Sequence, residues 1–325
     1  MYKLGFIVIV DESIEKIGRT YSSIRKRFLD EKIYFINDFS SEDSIKVLED
    51  IKADDKNIII HTNEKKQGLG MCKNIGIDIC SDDYFWILEA GDEIIVESRE
   101  RLTNILNNKV DFLTFTSYVE DNFYDKMKRK VTLKSFEDAY YYELSEAMIY
   151  AIDNRCSTKI WSTKYFKKAN FKFSNKGFED IWVKYYVSKG RHFHYSGKPL
   201  YKPYRMSARP KTTKEIEVSQ EAVIYVIRQL KKEGNLDHLI NAISVWAGLI
   251  VLNNVKQLLF DVHDRVKAHE LVGEFYREIN NYAFYDSPFF KKNVGAISKV
   301  ELKTMVKNFS GLVSLLKIKN KTKNQ

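Results

Sequence analysis

Five short apolar runs separated by segments of helical period constrain this chain more than any other feature. The runs are "KLGFIVIV" (3–10), "KIYFIN" (32–37), "NIIIH" (57–61), "YFWIL" (84–88) and "VDFLTF" (110–115). Between the first two, Ile14, Ile17, Tyr21, Ile24 and Phe28 recur at three- and four-residue spacing, and Ile45, Leu48 and Ile51 do so after the second. Strand-length runs alternating with amphipathic helices predict an α/β fold with a mostly parallel central sheet. In such sheets ligands lie beyond the carboxyl ends of the strands. Asp11, Asp38 and the cluster Glu89 to Glu93 all fall there.

The stretch "FWILEAGDEI" (85–94) is the clearest of these ends: a buried strand runs into Glu89, a Gly that lets the chain turn, Asp92 and Glu93. By itself such an acidic turn reads first as a strand end meeting solvent, since acidic turns are common, and only second as a site for a cation or sugar hydroxyls. Three strands ending in carboxylates at one edge favour the functional reading.

Other classes are excluded by what is missing. With 44% hydrophobic residues the 325-residue chain has the apolar content for a core, so it is not disordered. Its three cysteines, Cys72, Cys80 and Cys156, form no CxxC pair and point to a reducing compartment. Met1-Tyr2-Lys3 leads directly into a strand-like run, which predicts no secretory leader, and "AISVWAGLIVL" (242–252) reads as a buried helix too short to cross a bilayer. Walker A, GxGxxG and GxSxG patterns are absent. A net charge of +9 favours anionic partners, but charge and aromatics alone do not make a nucleic-acid binder, so none is expected.

From residue 211 onward the chain reads as helices, giving a division into 1–210 and a C-terminal helical appendage, 211–325. Its last segment sets Phe309, Leu312, Val313, Leu315 and Leu316 beside a run of lysines, which reads either as a peripheral anchor on an anionic membrane or as a core-packed helix with a basic tail. His192 and His194 alternate on one strand face and read as ordinary strand histidines before metal ligands.

An ordered series of motifs over the first two thirds of the chain resembles the inverting, family 2 type nucleotide-sugar glycosyltransferases with the GT-A fold. "YFINDFSSEDS" (34–44) is similar to that family's strand followed by Asn-Asp-x-Ser-x-Asp-x-Ser, and "GLGMCKNIGID" (68–78) to its Gly-x-x-x-x-Arg-Asn-x-Gly, with Lys73 for Arg. "YFWILEAGDE" (84–93) is similar to its Tyr-x-x-x-Leu-Asp-x-Asp-Asp, and "KIWSTKYFKKANFKFSNKGFEDIW" (159–182) to its acceptor-side segment ending in Glu-Asp.

The resemblance implies a GT-A type nucleotide-sugar-binding domain and a set of roles. Asp180 becomes the catalytic base, with Glu179 as its neighbour and reserve. Asp11, Asp38, Lys73, Asn74 and Glu89 become nucleotide-sugar ligands, Asp38 at the base edge and Glu89 at the ribose. Arg205, with Lys202 and Arg209 near Ser207, resembles the family's Tyr-Arg-x-x-x-x-Ser segment and reads either as a basic loop that closes on the diphosphate or as a surface charge run. Two departures stand out. The first strand ends Ile9-Val10-Asp11-Glu12 in place of Pro-x-Tyr-Asn, and the second Asp of Asp-x-Asp is Gly91, which makes Asp92 the implied ligand of a divalent cation, Mn²⁺ or Mg²⁺. The expected activity is sugar transfer from a nucleotide diphosphate donor, UDP, to a hydroxyl of a cell-surface glycan, a teichoic-acid-like polymer or a glycoprotein, in the cytoplasm or at the inner face of the cell membrane. The alternative is a non-catalytic relative that keeps the fold as a binding or assembly module.

Overall fold

The run Leu4–Val10 is apolar throughout because both of its faces are covered: every residue of this strand, β1, is buried. It pairs in parallel with β2 (Ile33–Asn37) on one side and β4 (Tyr84–Glu89) on the other, and β2 pairs in parallel with β3 (Ile58–Thr62). The computed structural model describes residues 2–11, 14–96, 99–117, 136–204, 211–234, 237–279 and 284–323.

Past β4 the sheet becomes mixed. Strand β8 (Lys159–Ser162) lies antiparallel between β4 and β6 (Phe112–Ser117), and β6 runs parallel to β9 (Phe193–Lys202). Short strands β5 (Glu93–Ile94) and β7 (Ala139–Tyr141) run antiparallel to β9. The order among the described residues is β3-β2-β1-β4-β8-β6-β9-β5, with β7 also on β9. The long ladders are parallel, as the apolar runs predict. The later strands β7, β8 and β9 lie outside those runs, since they are short or carry polar residues.

One consequence positions the site: β1, β2, β3, β4, β6 and β9 all end at the same edge of the sheet. The register sets Val10 beside Asn37 and Ile9 beside Glu89, so Asp38 and Glu89 flank the end of β1, two strand spacings or about 10 Å apart.

Helices α1 (Ile14–Arg25), α2 (Glu42–Asp54), α3 (Leu69–Ile79) and α4 (Arg99–Asn107) occur in the connections. Ile17 and Ile24 of α1 and Leu48 of α2 are buried as their spacing predicts, while Ile14 stays 44% exposed at the start of α1. The core beneath is aromatic: Phe6 packs on Phe28 (5.0 Å) and Trp86, and Trp86 packs edge-on against Phe115 (5.2 Å).

The chain divides into two compact units, Met1–Leu144 with Ile152–Met206, and Ser145–Ala151 with Ser207–Gln325. The second is helical and also contains helix α5 (Glu146–Ala151), an upstream segment that helical composition after 211 does not disclose. Its first long helix, Thr213–Lys232, opens with a capping box in which the Glu215 amide donates to Thr212 Oγ1 and the Thr212 amide to Glu215 Oε2. At its centre Ile240–Gln257 continues through one π-helical turn to Val262. These 23 residues are long and apolar enough to cross a membrane, longer than the apolar stretch read from sequence. Ala242, Ile243, Val245, Ala247, Val251 and Val255 are nonetheless buried within the unit. In the last helix, Phe309–Lys323, the apolar residues Leu312, Val313 and Leu316 are also buried, so this face is packed inward.

Candidate active site

Lys73 organises the site. It lies on α3, is 2% exposed, and its ammonium donates to Glu179 Oε1 at 2.7 Å and Asp180 Oδ1 at 3.0 Å, with Glu89 Oε1 at 4.0 Å. Burial opposes its charge, yet Asp180, Glu179 and Glu89 outweigh that and hold its pKa well above the usual lysine value. A buried ammonium among three carboxylates offsets part of their charge; without the lysine these acids would repel one another more strongly.

Packing brings the two halves of this cluster together from 106 residues apart. Gly70 lets the first turn of α3 approach the chain at Ser174, where any Cβ would lie 1.7 Å from the Ser174 carbonyl oxygen. Asn74 then clamps Phe173, donating from Nδ2 to its carbonyl (2.9 Å) and accepting its amide at Oδ1 (2.8 Å). Phe166, Phe171, Phe173 and Tyr186 form an aromatic cluster under this segment, with Phe171 stacked on Tyr186 at 4.4 Å. Gly177 and Phe178 both take positive φ, at 98° and 52°, and turn the chain into the short 3₁₀ helix Glu179–Trp182 that presents the acids.

Glu179 and Asp180 differ in access. Glu179 is buried, its side chain 7% exposed, whereas that of Asp180 is 34% exposed. Asp180 Oδ1 accepts both from Lys73 and from the Cys156 amide (3.3 Å), which leaves Oδ2 as the oxygen able to reach a substrate hydroxyl. The turn carrying Cys156 is itself pinned to β4, because the indole of the fully buried Trp86 donates to the Ser157 carbonyl at 2.8 Å.

Glu89 ends β4 with its side chain 51% open. Partial desolvation by the surrounding protein, together with Asp180, Asp92 and Glu179, overcomes the attraction of Lys73 and pushes its pKa up to about 7. Near neutrality Glu89 therefore exists in both forms, able to donate or accept at a sugar hydroxyl or phosphate.

Other expected residues have partners within the protein. Asp38 is 3% exposed and both oxygens are engaged: Oδ1 accepts from Asn63 Nδ2 (2.9 Å) and the Gln67 amide (2.7 Å), Oδ2 from the Gly68 amide (2.9 Å). Burial raises its pKa, but these three bonds outweigh it and leave the carboxyl below the ordinary range. Asp38 anchors the 63–68 loop beside the site through these bonds. Asn74 is likewise used within the protein. Asp11 is exposed at the end of β1. Lys202 lies at the end of β9, while Arg205, Ser207 and Arg209 lie outside the described residues. His194 pairs with Asp138 (2.9 Å) and His192 stacks on Tyr142 (4.6 Å), which accounts for both as structural side chains.

The acid turn does not fit a divalent cation as the resemblance implies. Asp92 is 4% exposed, and its oxygens accept the amides of Glu89 (Oδ2, 3.0 Å) and Tyr204 (Oδ1, 3.0 Å), so it staples the turn and does not face a ligand. Gly91 has φ 104°, and a Cβ there would lie 2.7 Å from Cγ of Tyr204. The ring of Tyr204 thus fills the space into which a carboxylate at position 91 would project. Among the described residues no three His, Cys, Asp or Glu side chains converge as a metal group. Residues of α1 complete the turn: Thr20 accepts the Gly91 amide and donates to the Asp92 carbonyl, both at 2.8 Å, and the Lys16 carbonyl also accepts the Gly91 amide at 3.0 Å. Lys16, Arg19 and Tyr204 are not among the site residues expected from sequence, and no motif marks them.

A family model described as glycosyl transferase family 2 matches residues 6–179. No curated protein matches the chain significantly. Among solved structures, the crystal structure of S. aureus TarS residues 1–349 superposes with a TM-score of 0.69 at 13% identity, covering 98% of this chain and 92% of that one. The same TarS fragment in complex with UDP-GlcNAc gives a TM-score of 0.66 at 13% identity, with 98% and 92% covered. In complex with UDP it gives 0.65 at 13% identity, with 95% and 91% covered. At such identity the likeness is one of fold.

Proposed function

The chain belongs to glycosyl transferase family 2, and on that premise we propose that it moves a sugar from a nucleoside diphosphate donor, UDP, to a hydroxyl of a cell-surface glycan, a teichoic-acid-like polymer or a glycoprotein, with inversion at the anomeric carbon in a GT-A type site. The UDP assignment is supported by the fold shared with TarS, which has been crystallised with UDP-GlcNAc and UDP. The observation that carries the reading is Asp180: one oxygen fixed by Lys73 and the Cys156 amide, the other open, at the edge where the parallel strands end.

In this mechanism Asp180 Oδ2 accepts the proton of the acceptor hydroxyl as that oxygen attacks the anomeric carbon. The bond to the diphosphate oxygen breaks on the opposite face, and its electron pair leaves with the nucleoside diphosphate. Lys73 holds the base in place, and Glu89 hydrogen-bonds the donor. A cytoplasmic site of action with peripheral membrane contact belongs to the same proposal. It is supported by the net charge of +9 and the lysine-rich C-terminus, an electrostatic contact since the last helix packs its apolar face inward.

A screen of nucleotide sugars by thermal shift and hydrolysis tests the reading, since a donor raises the melting temperature with the logarithm of its occupancy. Asp180→Asn is expected to reduce turnover by roughly 10²- to 10⁴-fold with UDP affinity unchanged. Transfer at the parental rate would remove Asp180 as the base, and donor binding without turnover in the wild type would make the chain a binding module.

A further inference from the structure

The acid turn has lost the geometry of a metal site, and what stands there instead carries positive charge. The ring of Tyr204, seated against Gly91, has the ammonium of Lys16 5.0 Å from its centroid and the guanidinium of Arg19 5.6 Å from it. Tyr204 is tied in place by Asp92, which accepts its amide. Lys16 is tied through its backbone, because its carbonyl accepts the Gly91 amide. The two cations are not equivalent. Arg19 is paired with Glu93, whereas Lys16 is half-buried and, among the described residues, has no carboxylate within salt-bridge distance.

We propose that this enzyme releases its nucleoside diphosphate without a divalent cation, and that Lys16, standing over Tyr204 beside the acid turn, supplies the positive charge at the diphosphate, with Arg19 behind it. The inference rests on the nucleotide-sugar reading of the site. As the bond between the anomeric carbon and the diphosphate oxygen breaks, its electron pair stays on that oxygen, and the acceptor's proton goes to Asp180. Lys16 remains an ammonium throughout and pairs with the charge that develops, the part a cation takes where a carboxylate can hold one. Three features of the turn make it a coherent substitution: Gly91 has no room for a side chain, Asp92 is turned inward onto two amides, and the ring that fills the gap is itself the platform for the two cations. Lys73 cannot take this part, since it is buried and committed to Glu179 and Asp180.

The test is calorimetric titration of UDP, UMP and uridine into the full chain, in chelator and again in Mn²⁺ or Mg²⁺, with transfer assayed in parallel. Expected are UDP affinities within about twofold across these conditions, and a loss of about tenfold or more for UDP in Lys16→Ala with uridine changed less than about threefold. Lys16→Arg restores UDP binding because it restores the charge, and Lys16→Gln, which keeps the polar side chain but not the charge, does not. Tightening of UDP by a divalent cation by about tenfold or more overturns the inference, as does an equal loss of UDP and uridine in Lys16→Ala. Wild-type protein that is folded by circular dichroism and binds no UDP in either condition overturns the nucleotide-sugar reading itself, and the inference with it.

Discussion

Replacing Lys73 by Met tests the central claim about the site, that one buried ammonium holds three carboxylates together. Met matches the length of the lysine stem, so the change removes the charge, and with it the ammonium that stands 5.6 Å from the centre of the Phe173 ring, with little loss of packing. What remains is Glu179, 7% exposed, and Asp180 with no cation between them, and Glu89 nearby. Removing one partner of a buried ion pair costs about 3–5 kcal/mol. For a domain of this size that lowers the melting temperature by roughly 6–20 °C. The sign with pH follows from linkage. The folded-state pKa of Lys73 lies above its unfolded value, so its stabilisation is fully present below about pH 10.4, the unfolded lysine value, and is lost as pH rises through the folded pKa. The destabilisation of the variant should shrink on acidification, as the stranded carboxylates protonate. Urea denaturation of both proteins from pH 5 to 8, followed by fluorescence of Trp86 and Trp161, measures it. Adding Glu179→Gln to Lys73→Met should restore part of the loss, since a neutral amide leaves one fewer buried charge. A variant less than about 1 kcal/mol below wild type at pH 8 would refute the account of a cluster held by its ammonium, because a surface pair is worth no more than that.

Three further outcomes follow from the same geometry. Glu89, with its pKa pushed up to about 7, holds a proton in the folded state that the unfolded chain releases at lower pH, so its contribution falls as pH rises from about 4.3 toward 7; Glu89→Gln should remove a limb near pH 7 from the profile of kcat/KM. Gly91→Ala forces a Cβ against the ring of Tyr204 at a φ of 104° and should cost about 1–3 kcal/mol in denaturation while lowering UDP affinity through the displaced ring. Asp38→Ala frees the Gln67 and Gly68 amides and should speed hydrogen exchange across residues 63–68, with a loss of about 1–3 kcal/mol and weakening of all nucleotides alike; a loss confined to uridine nucleotides would return Asp38 to the base edge.

Much of this protein is legible in its sequence because the signals are local. Apolar runs such as "LGFIVIV" and "YFWILE" predict central strands, since only a strand covered on both faces is apolar at every position, and intervening helices follow from spacing. That Asp38 and Glu89 lie at strand ends, and that Asp180 follows a distinctive aromatic segment, also come from order along the chain. What each carboxylate does is another matter, because it depends on which donors reach it through space. Lys73 and Asn74 are adjacent and read alike in sequence, yet the helix turns one toward Glu179 and Asp180 and the other onto the Phe173 backbone. Asp92 and Gly91 read as a displaced metal motif until Tyr204, 112 residues away from Asp92, is brought onto the same turn. The strands themselves follow from pattern, but the approach of β9's end to the turn after β4 is set by the strand order of the whole sheet. Composition cannot report that order, and it decides that the acid turn meets a tyrosine ring and two cations.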